Sequence, residues 1–155
     1  YIEAKMEAEG FTIFHPQQHD LETQLATYKG ASMIVSTDNS ALHLVAFVVD
    51  PSCKVAILSR RPGTIYKDFQ LQLKWFAGVT PYVVDACTRF WFRAGERLVP
   101  SEVFSLIDFE RTAAGLKAAG MISKADWVNP TTAEVDAAVK NLESDSETAF
   151  EEVFP

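Results

Sequence analysis

The sequence predicts an α/β fold, a parallel sheet with helices on both faces. Three observations predict it. Short apolar runs at 33–35, 54–58 and 79–84 alternate with stretches that carry apolar residues at helical spacing. The connections have the length of crossovers between parallel strands. The run Met33-Ile34-Val35 ends in Ser36-Thr37-Asp38-Asn39-Ser40, and a new apolar pattern begins at Ala41. Those small polar residues form turns and caps because their side chains bond nearby backbone groups.

Each element has a local reason. Ile2 to Glu9 reads as a helix, with Ile2 and Met6 on one face and Gly10 as its stop. Phe11 to Phe14 reads as a short strand broken by His15-Pro16-Gln17-Gln18. Asp20 caps a helix from Leu21 to Lys29 that ends at Gly30. Met33 to Val35 is a strand, Ser40 to Val48 a helix, and Lys54 to Leu58 a strand. Tyr66 to Ala77 is a helix stopped by Gly78, with Phe69, Leu73, Trp75 and Phe76 expected in the core. Val79 to Val84 is a strand whose Pro81 suits an edge or a strand start.

After Asp85 the pattern changes. Arg89 to Arg93 sets aromatics between arginines and suggests a hairpin packed on the core. Phe104 to Ile107 is either a short strand or part of a helix. Asp108 caps a helix through Ala119, closed by Gly120. Thr131 and Glu134 form a capping-box pattern for a helix from about Thr132 to Leu142. The acidic tail, 143–155, is either mobile or a strap held by Phe150, Val153 and Phe154.

The 155 residues suffice for one domain with a real core. The net charge of −7 argues against general binding to nucleic acid or an anionic membrane. No apolar run is long enough to span a bilayer, and a cytoplasmic location is expected. The first residue is Tyr1, so the chain reads as a piece of a longer protein. Cys53 and Cys87 fit no metal or redox spacing and read as free thiols.

A turn that feeds a helix start, at the carboxyl end of a strand, is a natural place for an anion. Ser36, Thr37, Asn39 and Ser40 offer hydroxyls, an amide and backbone N–H groups there, or serve only the turn. Arg60 and Arg61 follow the next strand at the same sheet end, and arginine binds phosphate through its planar fork. One of the two is expected to face the site. Asp38 is either a ligand for a sugar hydroxyl or the helix N-cap. His43 is a phosphate partner, a general base, or a half-buried structural histidine. His15 and His19 lack a third metal ligand. There is no Asp-x-Asp motif, so no metal or other cofactor is expected.

Gly10-Phe11, Gln24 in a helix, Ala31 to Val35, Ser40-Ala41-Leu42-His43, Phe47 and Lys54-Val55 together resemble the carboxyl-terminal part of glycosyltransferase family 61. The resemblance runs from Glu9 to Leu58. It implies a Rossmann-like, nucleotide-sugar-binding lobe of a GT-B enzyme over 1–142, with 89–142 as a helical extension. The type implied is that of bacterial capsular-polysaccharide enzymes, with an amino-terminal acceptor lobe outside this chain. Asp38 and His43 are then the candidate catalytic residues. Ser36, Thr37, Asn39, Ser40, Arg60 and Arg61 are the candidate donor-binding residues. The partners implied are a nucleotide-sugar donor and a glycan or lipid-linked acceptor, with no nucleic acid. The family's His falls at Asp38 here, its following Gly at Asn39, and its Glu in the next strand at Ile57. Those departures favour an alternative, a degenerate, non-catalytic module used for partner binding or assembly. An unrelated doubly wound domain is the third reading.

Overall fold

A computed structural model describes residues 1–153 of the chain. Its helices are α1 (Ile2–Ala8), α2 (Leu21–Gly30), α3 (Ala41–Val48), α4 (Tyr66–Gln72), α5 (Phe109–Ala118) and α6 (Thr132–Ser146). Its strands are β1 (Met33–Thr37), β2 (Lys54–Leu58), β3 (Tyr82–Val84), β4 (Cys87–Arg93), β5 (Phe104–Ile107) and β6 (Phe150–Val153). They form two three-stranded sheets, β1-β2-β3 and β5-β4-β6. The first is parallel, with Met33 opposite Lys54 and Ala56 opposite Tyr82. The second is antiparallel, with β4 at its centre.

The parallel sheet is covered on both faces, as the strand–helix alternation predicts. Tyr28, Leu42, Val45 and Phe69 of α2, α3 and α4, with Leu73 just beyond α4, pack with Val55 and Ile57 in one core. Met6 of α1 and Phe109, Ala113 and Leu116 of α5 pack with Ala56 and Leu58 in the other. Burial on both faces explains why β2 is a continuous apolar run instead of an alternating one.

The caps lie where the local chemistry places them. Asp20 accepts from the Thr23 N–H (2.8 Å) and Asp108 from the Arg111 N–H (2.9 Å). Thr131 and Glu134 form a complete capping box. Gly78 ends its helix with φ 69, a left-handed value that glycine adopts without steric cost.

Three expectations are corrected. Phe11 to Phe14 is not a strand, because no backbone bond among the described residues joins it to the outer edge of β1. Its side chains still alternate between the cores, Phe11 and Ile13 to one and Phe14 to the other. Second, α4 runs on into a π-helical turn, Leu73–Ala77. The widened turn puts Ala77 in line with Phe69 and Leu73 and turns Trp75 and Phe76 outward, 77% and 62% exposed. Third, the antiparallel sheet has no counterpart in a purely parallel plan. Residues 143–146 prolong α6, and 150–153 are strapped onto β4 as β6. Arg89 clasps Glu152 through two bonds of 2.8 and 2.7 Å, which neutralises part of the acidic run. Phe154 lies outside the described residues.

Candidate functional site

The candidate residues gather at the carboxyl end of the parallel sheet. The Asp38 N–H donates to the Leu58 carbonyl (3.1 Å), which extends the β1–β2 ladder one residue beyond β1. The Ser59 N–H donates to the Val84 carbonyl (2.9 Å), which does the same between β2 and β3. The ladder thus carries Asp38, Ser59 and the following arginines to one edge of the sheet.

Asp38 is not the helix cap. Its side chain has no exposed surface and lies between Arg60 and Arg61. Arg61 Nε donates to Oδ2 (3.2 Å), and an Arg61 Nη donates to the Asp38 carbonyl. Arg60 Nε approaches Oδ1 at 3.4 Å, within ion-pair range but without hydrogen-bond alignment, so Oδ1 has no hydrogen-bond partner. Burial raises the Asp38 pKa above the ordinary carboxylate value, against the lowering pull of Arg61 and then Arg60. Burial, with repulsion from Arg61, lowers that of Arg60, although a guanidinium stays charged.

The turn is built on Asn39. Its amide donates to Ser36 Oγ (3.2 Å) and Thr37 Oγ1 (3.0 Å), and its Oδ1 accepts from the Ala41 N–H (2.9 Å). The Leu42 and His43 amides are taken by the Asn39 and Ser40 carbonyls. Ser40 holds the N-cap position of α3 but makes no side-chain cap bond. Asn39 has replaced both Asp38 and Ser40 in that role. His43 Nδ1 lies 2.6 Å from Gln72 Oε1 and its ring packs on Phe69, which ties it to the α3–α4 contact. His15 lies 3.7 Å from Glu3, and His19 stacks on Phe14.

Two further residues join the site from outside the expected set. Ser59 is buried, and its hydroxyl reaches the Arg61 carbonyl at 3.4 Å. The Cys87 thiol donates to the Ser59 carbonyl (2.9 Å), and burial pushes its pKa up. Cys53 and Cys87 are both unpaired. Ser59 stands directly after β2, as Asp38 stands directly after β1, and that shared register was the available signal. Among the described residues, no group of three or more His, Cys, Asp or Glu is placed to hold a metal ion.

A groove of about 780 Å³ runs from this turn along the outer edge of β1, between Ser36, Thr37 and Asn39 at one end and Phe11, Phe14 and Tyr28 farther along. A volume of that order lies in the range of small-molecule pockets. The Tyr28 hydroxyl on its wall is buried without a hydrogen-bond partner. No helix among the described residues is long and apolar enough to cross a membrane. No family model matches the chain, and no curated protein or solved structure matches it either.

Proposed function

We propose that the chain is the Rossmann-like donor lobe of a GT-B glycosyltransferase similar to family 61. It would transfer a sugar from a nucleotide donor to a glycan or lipid-linked acceptor in the cytoplasm. The observation that supports this reading is the arginine pair beside the β1–α3 turn at the carboxyl end of parallel strands, the usual ligand-binding edge of an α/β sheet. Catalysis would consist of positioning the donor and stabilising its leaving diphosphate, work that fixed cationic donors perform. Ser36, Thr37, Asn39 and Ser40 line the donor side, and His43 stands one turn into α3. No metal or other cofactor enters this scheme.

The second reading, a non-catalytic module for partner binding or assembly, has one observation in its favour. The side chains and amides of the turn are largely spent on one another. Calorimetry and thermal shift with UDP, GDP, CMP and their sugars separate the two. A ligand bound only by the folded chain raises its melting temperature by mass action. The donor-lobe reading expects a selective shift that is lost in Ser40→Glu, where a carboxylate would face the donor. Absence of any shift, in this chain and in a longer one that includes an amino-terminal lobe, would support the non-catalytic module.

A further inference from the structure

We infer that Asp38 is a positioning residue that divides two adjacent arginines between two tasks, locking Arg61 into the fold and presenting Arg60 to a diphosphate. The inference deepens the donor-lobe reading and rests on it for the identity of the ligand.

The two guanidinium groups are held very differently. Arg61 is 13% exposed and reaches both the carboxylate and the main-chain carbonyl of Asp38. To leave, it would strand a buried carboxylate, so it is part of the fold. Arg60 is 34% exposed. Its Nε has only an unaligned approach to Oδ1, and its Nη1 reaches the Ser101 carbonyl at 3.5 Å, the limit for a bond. Its Nη2 has no hydrogen-bond partner among the described residues.

Elimination leads to the same residue. The Asn39 amide and the Ala41, Leu42 and His43 N–H groups are all bonded within the turn. Among the described residues that leaves the start of α3 only neutral donors, the Asn39 and Ser40 N–H groups and the Ser40 hydroxyl, and Arg60 is the charged donor beside them. Its planar fork matches two phosphate oxygens, and turning it toward an anion sacrifices no well-formed bond. The unbonded Oδ1 stands behind the guanidinium, 3.4 Å from its Nε, and so limits where it can swing. A diphosphate offers the fork oxygens on either of two phosphorus atoms and carries more negative charge than orthophosphate, so a fixed cation favours it.

The test uses the full chain with inorganic pyrophosphate as the probe, measured by calorimetry, and with melting temperatures taken in parallel. Arg60→Ala is expected to weaken pyrophosphate binding at least about tenfold, the loss of a charged hydrogen-bond donor, while melting within about 2 °C of the parent. Arg60→Lys restores part of the binding. Arg61→Ala shows the reverse pattern, a lowered melting temperature with binding largely kept at temperatures where the variant is folded. Asp38→Asn keeps the Arg60 charge but lowers the ratio of pyrophosphate to orthophosphate affinity, which a purely structural role would leave alone. The inference is overturned if the parent chain does not bind pyrophosphate, or if Arg60→Ala binds it as well as the parent. Pyrophosphate binding that depends on Arg60, but is no weaker than binding of UDP or GDP, would retain the division of labour and defeat the donor-lobe reading instead.

Discussion

Two carboxylates anchor loops in this molecule, and they do so by opposite physics. Asp38 is covered completely and answered by side-chain cations. Glu9 stands at the surface beyond α1 and is answered by backbone. It accepts from the N–H groups of Ser123, Lys124 and Ala125 at 2.9 to 3.2 Å, and from the Ser123 hydroxyl at 3.2 Å. Successive amides curled around one anion form a nest. In Glu9 the bond from the Ser123 N–H leads, desolvation opposes it, and the further bonds from Lys124, Ala125 and the Ser123 hydroxyl carry the balance, so the pKa falls from 4.5 to about 2. In Asp38 the order is reversed, and desolvation outweighs the arginines. A satisfied carboxylate at the surface is thus more acidic than a buried one between two cations. The number and alignment of donors matter more than formal charge nearby.

The largest way to break this comparison is to remove each anion. Asp38→Ala leaves two arginines converging on a hole and is expected to destabilise the fold by about 3 kcal/mol. For a chain of this length that is roughly 10 °C in melting temperature. Asp38→Asn keeps an oxygen in place for Arg61 and is expected to cost clearly less. Glu9→Gln is expected to shift the urea midpoint less than Asp38→Ala, because water can reach the freed amides. Urea unfolding of the three variants orders them. A larger loss from Glu9→Gln than from Asp38→Ala would invert the comparison.

Next in size are the pH dependences, which have opposite signs. Stability rises with pH wherever the unfolded chain binds more protons than the folded one. Glu9 is ionised in the fold at pH values where the unfolded chain holds a proton, so its contribution is full above about 4.5 and is lost as the pH falls toward about 2. Asp38 keeps its proton in the fold above its ordinary value of 3.8. Its contribution is therefore full below that value and declines as the pH rises through the raised one. Glu9→Gln should flatten the acid limb of a plot of urea midpoint against pH. Asp38→Asn should remove a decline on the side above 3.8. A parallel change in both variants would show that one of the two shifts has the wrong sign.

The comparison also separates what a sequence discloses from what it withholds. Asp20, Asp108 and the Thr131–Glu134 box act within three residues of themselves, and their roles follow from local chemistry. Arg60 and Arg61 could be brought to the turn after β1 because parallel strands put their carboxyl ends together. The role of Asp38 did not follow. Its capping propensity is a local property, and its burial against residues 22 and 23 positions later is a tertiary one. Phe76 misled in the same way, since the π turn that expels it is decided by packing around Leu73 and Ala77 and not by residue spacing. The Glu9 nest and the β4–β6 pairing join residues more than 50 positions apart, and nothing in either partner announces the other.

The smallest expected effect sharpens the comparison by testing what the nest itself costs. Ala125 donates to Glu9 from a left-handed backbone, φ 55, which a residue with a Cβ adopts at a cost of about 1 kcal/mol. Ala125→Gly removes that strain. It also adds conformational freedom to the unfolded chain, worth about 0.4–1 kcal/mol in the other direction. The Ala125 methyl packs against the core beneath α5, and part of the roughly 0.8 kcal/mol for a buried carbon is lost with it. The three terms nearly cancel, so the melting temperature should move by no more than about 3 °C. The carboxyl titration of Glu9, followed by NMR, should stay near 2, because glycine keeps both the backbone shape and the N–H. If that pKa instead returned toward 4.5 in Ala125→Gly, the methyl packing rather than the amides would be holding the loop in register. Glu9 would then resemble Asp38, an anion placed by the core around it.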